Sequence, residues 1–113
     1  MTDEPLDFEI SVHQVKSLLD QGESFFLLDC REQNEYDTVH LEQATLIPMS
    51  ELQQRVSELD GKQAERIVVH CHLGGRSQRV AMWLRQQGYQ NAQNMTGGID
   101  AWSLEIDSTK PRY

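Results

Sequence analysis

Little in this sequence could staple, anchor or stiffen the chain from outside its own core. Only two cysteines occur in 113 residues. The two could in principle pair, but without a secretion signal a reducing compartment is the default, so both are expected as free thiols. Prolines number three and aromatic residues make up 7%, and no stretch has the biased composition of a linker, a repeat or a low-complexity tract. No apolar run approaches the roughly 20 residues needed to cross a bilayer. The opening MTDEPLDFEI lacks the basic and apolar regions of a secretion signal, which makes the cytoplasm the expected location. Basic charge is also in deficit, with 10 Lys and Arg against 18 Asp and Glu and a net charge of −8. Nucleic acid and anionic membrane both demand a basic surface, so neither is an expected partner.

What is present is enough for one ordinary core. A chain of this length buries roughly two-thirds of its unfolded surface, and residues 1–113 read as a single domain, with a monomer as the default state. FEI (8–10) reads as a short edge strand. SVHQVKSLLDQG follows with Ser11 and Gln14 at capping-box spacing, Val12, Val15, Leu18 and Leu19 on one helical face, and Gly22 as the stop. SFFLLDC (24–30) is a continuous apolar run, the pattern of a strand buried on both faces. REQNEYDTVH is polar enough for a short helix, and ATLIPM (44–49) is a strand closed by Pro48. SELQQRVSEL reads as an amphipathic helix through Leu52, Val56 and Leu59, with Ser50 as its cap. RIVVHC (66–71) is a β-branched strand, HLGGRS a glycine-containing turn, and RSQRVAMWLRQQG a helix stopped by Gly88. QNAQNM supplies a last strand, and TGGIDAW turns into a final helical piece. Such alternation predicts an α/β fold, a doubly wound sheet of about five mostly parallel strands with helices on both faces. Ligands in such sheets gather at the carboxyl ends of the strands, which is where Cys71 falls.

Cys71 is the candidate nucleophile. A thiol attacks as thiolate, and its pKa falls from about 8.5 at a helix N-terminus or beside cations. HCHLGGRS offers both influences: Gly74 and Gly75 permit a backbone nest of inward N–H groups at the start of a helix, and Arg76 brings a fork of donors suited to an oxyanion such as thiosulfate. Against this stands a plain structural thiol, since free cysteine is among the most buried residue types. His70, Cys71 and His72 do not suggest a metal site, because consecutive residues on a strand point to opposite faces. No cofactor is called for. Trp83 lies on the apolar face of its helix and reads as core, as do Tyr36 and Tyr89. His13 and His40 read as surface or supporting residues.

Four blocks in order carry a resemblance over nearly the whole chain: FLLDCRE (26–32), EYDTVHLEQATLIP (35–48), VVHCHLGGRSQRVAMWLRQQGY (68–89) and NMTGGIDAW (94–102). Together they resemble the single-domain rhodaneses, that is, thiosulfate sulfurtransferase-like proteins. The resemblance implies ping-pong sulfur transfer, in which Cys71 takes a sulfane sulfur from thiosulfate or a similar small anionic donor, holds it as a persulfide, and passes it to a thiophilic acceptor such as cyanide, a thiol or a sulfur-carrier protein. It implies that His72, Leu73, Gly74, Gly75 and Arg76 bind the persulfide, and that Asp29 and Arg31 brace neighbouring loops. Thiosulfate, persulfide and mercaptopyruvate users all occur in the family, so donor and acceptor stay open. The chain departs from the family at LEQA (41–44), where Pro and Gly are usual, and at Cys30, which stands where an aliphatic residue is usual and reads as core filler with a resolving role as a lesser alternative. Two other readings remain on the same fold. One is a sulfur-relay or regulatory binding module, although such regulatory domains typically lose the cysteine. The other is a cysteine-dependent phosphatase, whose loops place five residues between Cys and Arg, whereas four separate Cys71 from Arg76 here.

Overall fold

Five short strands and five helices alternate through the computed structural model, which describes residues 4–113. Residues 1–3, the start of the acidic N-terminal stretch, lie outside the described residues. The strands are β1 (Glu9–Ile10), β2 (Phe26–Asp29), β3 (Thr45–Leu46), β4 (Ile67–His70) and β5 (Ala92–Met95). The helices are α1 (Val12–Asp20), α2 (Gln33–Thr38), α3 (Leu52–Arg55), α4 (Gly75–Gln86) and α5 (Gly98–Glu105). All strand pairs are parallel, in the order β1-β5-β4-β2-β3. The chain winds outward from β2 to β3, then returns to the other side of β2 to lay down β4. The order therefore reverses between β2 and β4, the place in an open α/β sheet where ligand crevices form.

Period-two alternation sorts the apolar residues onto two faces. Leu28, Ile67 and Val69 point to one side, where Leu52, Leu59, Val80, Ala81 and Leu84 cover them. Leu27 and Val68 point to the other, under Val12, Val15, Ile99 and Trp102. Helices thus cover both faces, and all four residues of β4 are fully buried. Each such aliphatic side chain contributes about 1.5–3 kcal/mol on burial, which makes β4 the firmest platform for whatever follows it. The capping box of α1 forms as its spacing predicts: Gln14 N–H donates to Ser11 Oγ at 3.1 Å and Ser11 N–H donates to Gln14 Oε1 at 2.9 Å.

The helix expected over residues 50–59 differs from its reading. Only Leu52–Arg55 is α-helical, between 3-10 turns at Met49–Glu51 and Val56–Leu59. Ser50 is not the cap, because the Glu32 carboxylate accepts its hydroxyl at 2.7 Å and draws it into the 3-10 turn that follows Pro48. Leu52 and Leu59 are nonetheless buried, so the apolar face is used although the regular helix is not. The last residues lie against the body. Lys110 Nζ donates to the His40 carbonyl at 3.0 Å, and Arg112 Nε donates to Asp100 at 2.8 Å.

Candidate active site

Cys71 is the first residue past the end of β4, beside the β2–β4 reversal, and is 1% exposed. The chain then turns through His72, Leu73 and Gly74 into α4. Gly74 caps that helix at φ 110°, and a Cβ there would stand 3.3 Å from the Gly97 nitrogen. A side chain at this position would be both strained and crowded, so glycine is what lets the turn close.

The turn is held from behind by the start of α5. Ile99 N–H donates to the Cys71 carbonyl at 2.9 Å and Asp100 N–H to the His72 carbonyl at 3.1 Å. The two peptides are trans, so tying their carbonyls to α5 turns the N–H groups of His72 and Leu73 away from it. This close approach needs Gly98, whose φ is 61° and whose absent Cβ would fall 2.4 Å from the His72 oxygen. The glycine pair of the last block is thus a clamp on the cysteine turn.

Hydrogen-bond donors converge on the sulfur. Gly74 N–H donates to Cys71 Sγ at 3.1 Å, and the Ser77 hydroxyl lies 3.3 Å from it. Burial pushes the Cys71 thiol up, but the Ser77 hydroxyl and the N–H groups of Ser77, Gly74 and Arg76 outweigh it and hold the thiol below its ordinary value. Cys30 has the opposite environment. Its N–H donates to the His70 carbonyl at 3.1 Å, next to Cys71 across the two strands. Burial first, then the neighbouring Cys71 and Asp29, push its thiol far up. It is built as a neutral core residue.

Ser77 is a site residue that the sequence reading missed. Its hydroxyl also donates to Asn94 Oδ1 at 2.5 Å, and Asn94 Nδ2 donates to the Glu9 carboxylate at 3.0 and 3.1 Å. A polar chain therefore runs from the buried sulfur through α4 and β5 to the exposed Glu9 on the edge strand β1. The available signal was positional: a serine in the first turn of the helix after the cysteine lies on the face toward the strand it follows.

Arg76 is placed differently from expectation. Its fork is not open to an oxyanion, because Nη1 and Nη2 donate to the two Glu35 oxygens at 2.7 and 2.8 Å. Arg76 in turn holds the Glu35 carboxyl down at about 2. Tyr113 donates its hydroxyl to Glu35 Oε2 at 2.8 Å and accepts from Arg31 Nη1 at 3.0 Å. Arg31 is fully buried, with Nε and Nη2 on the Asp29 carboxylate at 2.9 and 2.6 Å and Nη2 also on the Val39 carbonyl at 2.7 Å. Asp29 and Arg31 thus brace the loops around the site without reaching the sulfur.

The other loop residues line an open depression of about 310 Å3 over Cys71, formed with His72, Leu73, Gly75, Arg76 and Arg79. His72 stacks on the Tyr113 ring, 3.9 Å between centroids and 12° between planes. Leu73 is 64% exposed on the rim. His70 is fully buried, and burial lowers its pKa; its Nε2 lies 3.7 Å from Asp29 Oδ2 without a hydrogen-bond partner. Among the described residues no group of three or more His, Cys, Asp and Glu side chains is arranged to hold a metal ion, and no helix is long and apolar enough to cross a membrane.

The model of the Rhodanese-like domain family matches residues 11–105. The chain is 32% identical over 114 residues to the adenylyltransferase and sulfurtransferase MOCS3-2 of Zea mays, covering 96% of this chain and 24% of that protein. It is 34% identical over 95 residues to the putative sulfur carrier protein YrkF of Bacillus subtilis, covering 84% of this chain and 50% of that one. It therefore spans a quarter to a half of the length of these curated relatives. Among solved structures, the human single-domain sulfurtransferase TSTD1 superposes with a TM-score of 0.79 at 25% identity, over 88% of this chain and 98% of that one. A rhodanese-like domain protein from Staphylococcus aureus gives the same TM-score at 24% identity, over 95% and 99%, and attests the fold.

Proposed function

This chain belongs to the Rhodanese-like domain family, whose matched members include sulfurtransferases and a sulfur carrier protein, and from that membership we propose that it transfers sulfane sulfur through a persulfide on Cys71. The observation that carries the reading is the convergence of donors on one sulfur: Gly74 N–H at 3.1 Å and the Ser77 hydroxyl at 3.3 Å, beneath an open depression. In the first half-reaction the Cys71 thiolate attacks the outer sulfur of thiosulfate or a related donor. An S–S bond forms to Cys71, the sulfur–sulfur bond of the donor breaks, and its electron pair leaves with sulfite. In the second, an acceptor thiolate, cyanide or a sulfur-carrier protein attacks the outer sulfur, and the electron pair of the cleaved bond returns to Cys71. Covalent transfer of this kind divides one difficult exchange into two easier ones.

The loop serves both steps by holding negative charge that moves by one atom. Preset N–H groups cost no reorganisation when the charge arrives, and those of Gly74, Arg76 and Ser77 already favour the thiolate. Phosphate-ester chemistry fits less well, because the Arg76 fork that would grip a phosphate is committed to Glu35 and no Asp or Glu lines the depression to act as acid.

Intact mass after incubation with thiosulfate tests the reading. Wild-type protein gains one sulfur atom and loses it to cyanide as thiocyanate, and Cys71→Ser gains none. Protein that takes no sulfur from thiosulfate or from a low-molecular-weight persulfide would refute it.

A further inference from the structure

The depression over Cys71 does not end at the loop. Arg79, on α4, lines it and also lines a second hollow of about 330 Å3 between α4 and the segment around α3. Met49, Leu52, Val80 and Trp83 give this hollow an apolar floor, with Gln53 and Gln54 exposed at its lip. Positions 76, 79, 80 and 83 recur at helical spacing and share one face of α4, so the two hollows form a track along that face and meet at Arg79.

Charge singles the track out. The chain carries 18 acidic residues and a net charge of −8, yet no Asp or Glu lines either hollow. Glu32, which reaches the rim, accepts the Ser50 hydroxyl. Arg76 is neutralised by Glu35, whereas the Arg79 side chain makes no hydrogen bond or ion pair among the described residues. The free cation therefore stands between the sulfur and the apolar floor.

We propose that this track admits the sulfur acceptor, and that the acceptor it fits is a low-molecular-weight thiol with a carboxylate beside the thiol and an apolar substituent beyond it. The inference rests on the persulfide reading of Cys71. The thiol enters the depression, the carboxylate meets Arg79, and the substituent lies on Met49, Leu52 and Trp83. Small-ligand sites begin at about 300 Å3, so a hollow of about 330 Å3 takes a phenyl or branched alkyl group. The acceptor thiolate attacks the outer sulfur of the Cys71 persulfide; the new S–S bond forms on the acceptor, the Cys71 S–S bond breaks, and the electron pair stays on Cys71 Sγ. The persulfide proton travels with the transferred sulfur, and no external oxidant or reductant is used.

The test uses protein loaded to the persulfide, verified by intact mass, and mixed with 2-mercapto-3-phenylpropanoate, mercaptoacetate or 2-phenylethanethiol. Discharge rates are compared per unit of thiolate. The first acceptor is expected to discharge about tenfold faster than either of the others, the equivalent of about 1.4 kcal/mol. Arg79→Gln brings the rate ratio of 2-mercapto-3-phenylpropanoate to 2-phenylethanethiol down to about one, and Arg79→Lys restores much of that ratio. Gln54→Trp, placed from the exposed lip, fills the hollow and abolishes the advantage of the phenyl group. Equal rates for the three thiols, or variants that keep the wild-type ratios, would overturn the proposal. So would a concentration-dependent dimer in sedimentation that Gln54→Trp abolishes, since a second copy would then own the groove. If no sulfur loads, the persulfide reading fails at the first step, and the groove is judged alone by titrating 3-phenylpropanoate. A change in Trp83 fluorescence that is lost in Trp83→Phe and in Arg79→Gln upholds it, and no change refutes it.

Discussion

Replacing Ser77 by alanine separates the contribution of its hydroxyl to the Cys71 thiolate from that of the backbone. The hydroxyl has one proton and two acceptors within reach, Cys71 Sγ at 3.3 Å and Asn94 Oδ1 at 2.5 Å. With Cys71 as a thiol, the proton is better placed on Asn94. With Cys71 as thiolate, it turns to the sulfur and leaves the amide oxygen unpaired. A hydrogen bond to a charged group contributes about 1.5–3 kcal/mol and a neutral one about 1 kcal/mol, so the net preference that Ser77 gives the thiolate is about 1 kcal/mol. Ser77→Ala removes that preference and raises the Cys71 pKa. The assay is the rate of alkylation of Cys71 by iodoacetamide across pH, with Cys30, fully buried and with its thiol pushed up, as the slow internal reference. The midpoint moves to higher pH and the plateau rate stays close to wild type. An unmoved midpoint would refute the argument and assign the thiolate to the N–H groups alone.

Two further outcomes follow from the clamp and the ion pair. In Gly98→Ala the new Cβ would fall 2.4 Å from the His72 oxygen and 2.6 Å from the Cys71 oxygen, at a φ of 61°; a left-handed alanine costs about 1–2 kcal/mol and two lost hydrogen bonds about 1 each, so stability in urea falls by about 3–4 kcal/mol. Gly75→Ala is the control, because nothing lies within 4 Å of its Cβ and it sits in the first turn of α4; its midpoint stays level or rises. Glu35 has its pKa held down at about 2 by Arg76, so the folded state binds its proton less readily than the unfolded one. The stability this contributes is complete above the ordinary carboxylate pKa and is lost as pH falls toward 2. With Arg76 partly exposed, that amounts to about 1–2 kcal/mol after allowance for solvent screening. Urea midpoints of Glu35→Gln measured against pH are expected to show a shallower acid limb than wild type, and parallel limbs would count against the pair.

The elements that sequence makes legible are those whose cause is local. The capping box of α1 joins residues three apart, and β4 opens with three β-branched residues in a row, Ile67, Val68 and Val69, so both stand where the local pattern puts them. The segment 50–59 was misread for the complementary reason. Its apolar spacing is helical, but the carboxylate that captures Ser50 lies 18 residues earlier, at Glu32. The site divides in the same way. Cys71, its glycine turn and the following helix are contiguous, and their chemistry is readable from spacing. What sets the charge at the rim is not contiguous: Glu35 stands 41 residues from Arg76, and Tyr113 is 78 from Glu35. Read locally, Arg76 is a free cation beside a thiolate; read with Glu35 in place, the pair is neutral and the free charge moves along the helix to Arg79. In the proposed acceptor site, the arginine of α4 left unpaired from α2 is therefore the one placed to meet a carboxylate. Glu35, a residue with no contact to the sulfur, thus sets which of the two arginines is paired.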